Sequence, residues 1–230
     1  MAELEPRLGI DTAETLRRRA LRLLGLDRES RISIDAQETL KGAVDAILDG
    51  AHPRGAYQEL PLLGVEEDRV LTDAGPIESS FFAELARRAQ GERTLVFTAA
   101  TIGGSVDGLL GFDLSLFKRS VLDVVASELT EMVADAVDDD WMVQARREGR
   151  QFARRFSPGY CDWPMEGLRV VFEALRGQDA GVTLDSNRAM SPSKSVSGVT
   201  LIARSIPLKD ACALCDKAMC SWRRAPAGNA

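Results

Sequence analysis

A single histidine, His52, serves the whole 230-residue chain. It stands beside Pro53 and reads as a loop residue, so no histidine-based catalytic dyad or triad is expected. No apolar run approaches the ~20 residues that a membrane-spanning helix needs. The opening stretch, MAELEPRLGIDTAETLRRR, lacks the apolar region of a secretory signal, so a cytoplasmic protein is expected. Basic residues are the minority, 29 against 35 acidic ones, for a net charge of −6. That balance argues against non-specific binding of nucleic-acid phosphates. The Thr101-Ile102-Gly103-Gly104 turn lacks the spacing of a dinucleotide-binding glycine loop. There is no internal repeat, and no low-complexity tract before the last few residues. Cysteine is scarce, with four in all, yet every one falls in the last third of the chain.

What is present is an ordinary globular composition, 45% hydrophobic and 28% charged, enough for a core without disulfides. The apolar spacing predicts helices over 11–24, with Leu16, Ala20, Leu23 and Leu24 on one face, and over 36–48, with Leu40, Ala43, Val44, Ile47 and Leu48. Asp11 and Glu14 form a capping-box pattern. Residues 51–62 read as a connector leading into a short extended segment. Gly75-Pro76 opens a predicted third helix, with Ile77, Phe81, Phe82, Leu85 and Ala89 inward and Gly91 as its stop. Residues 94–99 read as a buried strand. A long helix is predicted over 115–137, with Phe117, Val121, Val125, Leu129, Met132 and Ala136 as its buried stripe. Asp138-Asp139-Asp140 then breaks the pattern before a basic helix over 141–154. Residues 168–175 read as helix, 182–184 and 196–203 as strands. Helices outnumber strands, and the strands do not alternate regularly with helices. The expected fold is α+β, with helices flanking a small, mainly antiparallel twisted sheet. The chain divides into an N-terminal helical part of the same domain (1–92), a core with ligand loops (93–205) and a cysteine-containing tail (206–230).

Two loops carry the chemistry. The first is Arg155 to Tyr160, RFSPGY. Pro158 fixes its own φ, and Gly159 permits backbone conformations and close approaches closed to other residues. Arg155 offers a planar fork of donors that fits a carboxylate. Tyr160 adds a ring face and a hydroxyl. This set suits a zwitterionic amino acid or a nucleoside derivative, and it also suits an ordinary tight turn with a surface arginine. On the long helix, Glu131 precedes the apolar Met132. It could hold an amine or a sulfonium, or simply be solvated. Arg146, Arg147, Arg150, Arg154 and Arg155 form a basic stretch, either a solvated face or a docking site for an acidic partner.

The order of elements resembles the activation (S-adenosylmethionine-binding) domain of cobalamin-dependent methionine synthase, in its stand-alone form. The resemblance rests on FTAATIGGSVDGLL, the helix VLDVVASELTEMVADAV, RRFSPGYCDWP and GVTLDSNRAMSPSKSVSGV, and covers most of residues 35–205. Its specific parts are R-x-x-P-G-Y and M-x-P-x-x-S-V-S-G. It implies an S-adenosylmethionine site with Arg155, Ser157, Gly159 and Tyr160, and with Glu131 from the long helix. Met190, Lys194, Ser195, Ser197 and Gly198 form the second ligand loop. It implies no catalytic acid or base, because the protein acts by holding a methyl sulfonium against reduced cobalamin, an approximation effect. The implied activity is methyltransferase-associated, the reductive methylation of oxidised cobalamin. Where the family has Thr-Glu-Ser in the second loop, this chain has Asp185-Ser186-Asn187. It carries no D-x-H-x-x-G cobalamin motif, so cobalamin is expected on a partner, a cobalamin-binding methyltransferase or corrinoid protein. A flavodoxin-like or ferredoxin-like electron donor is the expected second partner.

The tail departs from the fused enzymes. Cys212, Cys215 and Cys220 have C-x2-C-x4-C spacing, with Cys161 as a possible fourth thiolate. Four thiolates suit zinc or an iron–sulfur cluster. The second reading of the chain is accordingly a cysteine-ligated metal accessory protein for corrinoid-dependent methyl transfer that does not itself bind S-adenosylmethionine.

Overall fold

The computed structural model describes residues 2–4, 9, 11–26, 33–110 and 114–210. The elements in chain order are β1 (Ala2–Leu4), α1 (Thr12–Leu23), α2 (Ile34–Gly50), β2 (Arg54–Pro61), β3 (Gly64–Val65), β4 (Arg69–Leu71) and β5 (Ile77–Glu78). They continue with α3 (Ser80–Arg88), β6 (Thr94–Thr101), α4 (Leu116–Arg147), β7 (Gln151–Phe152), α5 (Leu168–Ala174), β8 (Thr183–Leu184), β9 (Met190–Ser191) and β10 (Ser195–Ala203). Short 3-10 turns lie at Gly104–Leu110 and Met165–Gly167.

The central sheet has the order β1-β2-β6-β10-β7, and all its pairings are antiparallel. Side chains alternate across it. Ala56, Leu95, Phe97, Ala99, Val199 and Leu201 face one core, closed by α3, α5 and the small β3-β4-β5 sheet. Val96, Ala100 and Ile202 face the other way, toward α4, α1 and α2. With both faces covered, β6 is an almost continuous apolar run, buried at every position after Thr94. The architecture is the expected α+β arrangement of helices around an antiparallel sheet.

Several local expectations are corrected. The segment expected to be a connector holds β2, eight residues paired along their whole length with β6. Its alternation is hidden because Gly55 and Ala56 fill inward positions, and Gly55 is needed there. A Cβ on it would lie 2.5 Å from Val137 Cγ2. The third helix starts at Ser80 rather than at Gly75-Pro76, because Ile77 and Glu78 pair with β4 and Ser79 is the N-cap. Ser33 caps α2 by accepting from the Ala36 amide, a signal that placed the true start two residues before the predicted one. Asp11 precedes α1 but caps nothing, since its backbone is not extended, and Glu14 lies 3.8 Å from Arg17 instead. Leu23 is exposed while Leu21 takes the buried position. Phe117, expected in the buried stripe of the long helix, is 46% exposed. The Asp138-Asp139-Asp140 run does not break that helix, which continues for 32 residues to Arg147. Asp138 is tolerated mid-helix because it is buried with donors around it, as the site shows.

Candidate functional site

After β7 the chain continues along the edge of β10. Ala153 donates to Leu201 O at 2.8 Å, and Phe156 and Val199 exchange both backbone bonds at 2.8 Å. Opposite residues in such a pair share a face, so Phe156 joins Val199 in the α3 core, while Arg155 and Ser157 point toward α4. Phe156 stacks between Phe82 (5.5 Å) and Trp163 (5.6 Å), near-parallel to both. Asp162 ties the same segment to the start of α3. Its carboxylate accepts from the Ser79 and Ser80 hydroxyls at 2.5 and 2.7 Å and from the Ser80 and Phe81 amides at 2.7 and 3.2 Å. An acid at a helix N-terminus is favourable both as a cap and against the helix dipole.

Gly198 makes this close approach possible. A Cβ there would lie 2.7 Å from Phe156 O, 2.8 Å from Arg155 Cγ and 2.9 Å from Ser157 Oγ. The arginine stem therefore lies directly over the β10 backbone. Its side chain is 7% exposed and its guanidinium is turned onto α4. One arm, Nη1, binds Asp138 Oδ2, and the other, Nη2, donates to Glu131 Oε2 at 2.8 Å with Asp135 at 3.6 Å. Asp138 is 2% exposed. Its Oδ1 accepts from Thr98 Oγ1 at 2.7 Å and Trp141 Nε1 at 3.1 Å. Burial pushes the Asp138 carboxyl up, against the pull of Arg155, Thr98 and Trp141. Burial by itself would lower Arg155, but Asp138, Glu131 and Asp135 outweigh it and raise it above its ordinary value. Glu131 is 22% exposed and Asp135 57%, so the Nη2 side of the cluster is the one that reaches the surface.

The second loop docks on the same helix. Asp123, Ser127, Glu131 and Asp135 recur every four residues, and so lie along one face of α4. Lys194 Nζ reaches Asp123 Oδ1 at 2.7 Å and Ser127 Oγ at 2.9 Å, one turn before the Arg155 partners. Its carbonyl accepts from Thr101 Oγ1 at 3.0 Å. Glu131, Arg155, Ser157, Lys194 and Gly198 are thus gathered on the α4 side of the sheet. Ser195 and Ser197 alternate onto the opposite face of β10. Ser195 Oγ donates to Pro192 O at 2.7 Å, and Ser197 Oγ is buried with no hydrogen-bond partner. Met190 belongs to the β8–β9 hairpin, opposite Leu184. Asp185, at the departure from the family pattern, closes that hairpin by accepting from the Asn187 and Ala189 amides at 2.8 Å.

Beyond the Pro158-Gly159 bend lies a cavity of about 400 Å3, lined by Gly75, Glu78, Trp163, Glu166, Val170 and Arg188 among others. That size falls within the range of small-molecule pockets. Gly159 has φ +88, and a Cβ on it would sit 2.7 Å from Met165 Sδ. The Trp163 indole N–H is buried without a partner, and a Cβ on Gly167 would meet it at 2.2 Å. Arg188 spans the rim to Glu166 at 2.7 Å. Tyr160 packs half-buried against the adjoining core. Glu78, Trp163 and Arg188 escaped the sequence reading. Glu78 was assigned to a helix, while Trp163 and Arg188 stood inside the two motifs and could have been singled out there.

The basic stretch is not one face. Arg155 is buried, Arg150 donates to Thr94 Oγ1 at 2.6 Å, Arg154 pairs with Asp210 at 3.3 Å, and Arg146 lies over the Phe152 ring. Cys161 is exposed with φ 51. Cys212, Cys215 and Cys220 lie outside the described residues. Among the described residues no group of three or more His, Cys, Asp or Glu could hold a metal, and no helix is long and apolar enough to cross a membrane.

No family model matches the chain, and no curated protein does. Among solved structures it is similar to the crystal structure of the MetH reactivation domain bound to AdoHcy. The TM-score is 0.59 at 19% identity, over 86% of this chain and 77% of that one. This chain accordingly has the fold of the MetH reactivation domain, the fold that its two loop motifs imply.

Proposed function

We propose that the protein binds S-adenosylmethionine and presents its methyl group to cobalamin carried by a separate corrinoid protein, as a reactivation factor. The observation that carries this reading is the likeness in fold to a domain solved with AdoHcy. The placement of the two motifs supports it. The amino-acid end is assigned to the Arg155–Glu131 pair. On binding, Nη2 leaves Glu131 for the ligand carboxylate, and Glu131 takes the ammonium or sulfonium. This exchange conserves charge, so neither group is stranded unpaired in a poorly solvated site. Asp138 keeps the other arm of Arg155 throughout.

No group on this chain needs to move a proton. The methyl group leaves sulfur for the partner's reduced cobalt, and sulfur keeps the electron pair of the broken bond. The chain's part is to hold one reactant in line with the other. A flavodoxin-like or ferredoxin-like donor supplies the electron that returns cobalt to its nucleophilic state.

Calorimetric titration of the full chain with S-adenosylmethionine tests the reading. Saturable 1:1 binding is expected. Glu131→Gln and Arg155→Lys are each expected to weaken it by about 10- to 100-fold, the effect of removing one charged hydrogen-bond partner. A folded wild-type chain that gives no binding heat and no thermal shift overturns it.

A further inference from the structure

Asp138 touches neither the cavity nor the exposed edge of Glu131, yet three donors from three places converge on it. Thr98 comes from β6, Trp141 from the next turn of α4, and Arg155 from the strand-edge segment. The two neutral donors share Oδ1, at 2.7 and 3.1 Å. They fix the plane of the carboxylate, which leaves Oδ2 aimed at Nη1 of Arg155. The arginine stem is already confined above Gly198. With stem and Nη1 both held, the only arm of the fork on the side of the partly exposed Glu131 is Nη2. A long flexible side chain is thereby converted into a fixed donor.

We propose that Asp138, oriented by Thr98 and Trp141, is a positioning residue that sets Arg155 for the carboxylate of the ligand. This rests on the function proposed above. The chemistry recognised through Asp138 is the α-carboxylate alone. Its effect is therefore confined to ligands that carry one.

The test is titration of the full chain and of Asp138→Asn with S-adenosylmethionine and with its decarboxylated analogue, alongside thermal melts. Asparagine keeps the shape of the side chain and an oxygen for Thr98 while removing the charge that holds Nη1. The expected result is that S-adenosylmethionine is weakened about tenfold more than the decarboxylated analogue. Thr98→Val, which leaves every charge in place and loosens only the carboxylate plane, is expected to give the same ligand-selective loss at smaller size. It also serves if Asp138→Asn does not fold. Equal weakening of both ligands, or no change in either, overturns the positioning role while leaving the site reading intact. A wild-type chain that binds neither ligand overturns the site reading itself.

Discussion

At Gly198 one methyl group decides whether the segment 155–157 can lie on the sheet. Three atoms of residues 155–157 occupy the space within 3 Å of where its Cβ would be, and one of them is a backbone oxygen with no freedom to swing aside. Gly198→Ala is expected to destabilise the fold by about 1–3 kcal/mol, read as a lower urea midpoint with an unchanged slope. Tyr57 offers a second single-residue test. Burial, with its hydrogen bond to Asp140 at 2.9 Å, pushes its phenol up from 10.0 to about 12. The native state therefore holds this proton longer than the unfolded chain does. The stabilisation is complete below pH 10 and is lost as pH rises from about 10 to about 12. Ultraviolet titration of tyrosinate should show one of the two tyrosines ionising in that late window, and Tyr57→Phe should remove the late phase.

Among the elements, α4 is the frame on which both motif loops are hung. Lys194 and Arg155 meet successive turns of one of its faces, so the two loops share a single rigid support. The helix runs through its acidic stretch because Asp138 is buried as an acceptor for the sheet and for Arg155, while the exposed Asp140 accepts from Tyr57. On the other side of the sheet α3 does the corresponding work through Asp162. Removing that carboxylate strips an acceptor from the Ser80 and Phe81 amides and from two hydroxyls. Asp162→Ala is expected to lower stability by about 1–2 kcal/mol. Faster amide exchange at residues 80–81 and at the turn 159–163 would accompany it, measured by hydrogen exchange.

For the molecule as a whole, S-adenosylmethionine bound as proposed to the folded chain alone stabilises that state over the unfolded one. Mass action then requires S-adenosylmethionine to raise the melting temperature, by the equivalent of about 2.7 kcal/mol at a hundred times its dissociation constant. A thermal melt at rising ligand concentration checks this. Much of the fold could be read from local pattern, since α2 and α5 each carry a periodic apolar face, and β6 and β10 are short apolar and β-branched runs buried on both faces. The two loop motifs were legible for the same local reason: a proline, a glycine and small residues constrain their own backbone. β2 was not, because its two buried positions are the small Gly55, sized to fit Val137 on a distant helix, and Ala56, which faces the opposite core. Nor was the start of α3, where Ile77 and Glu78 are claimed by a strand partner before the helix can take them. The order of residues along the chain thus marked the two loop motifs. The direction of the Arg155 guanidinium and the pairing of Asp138 were decided only in three dimensions. A charged group finds its lowest free energy from every element packed around it, and no single stretch of chain contains that information.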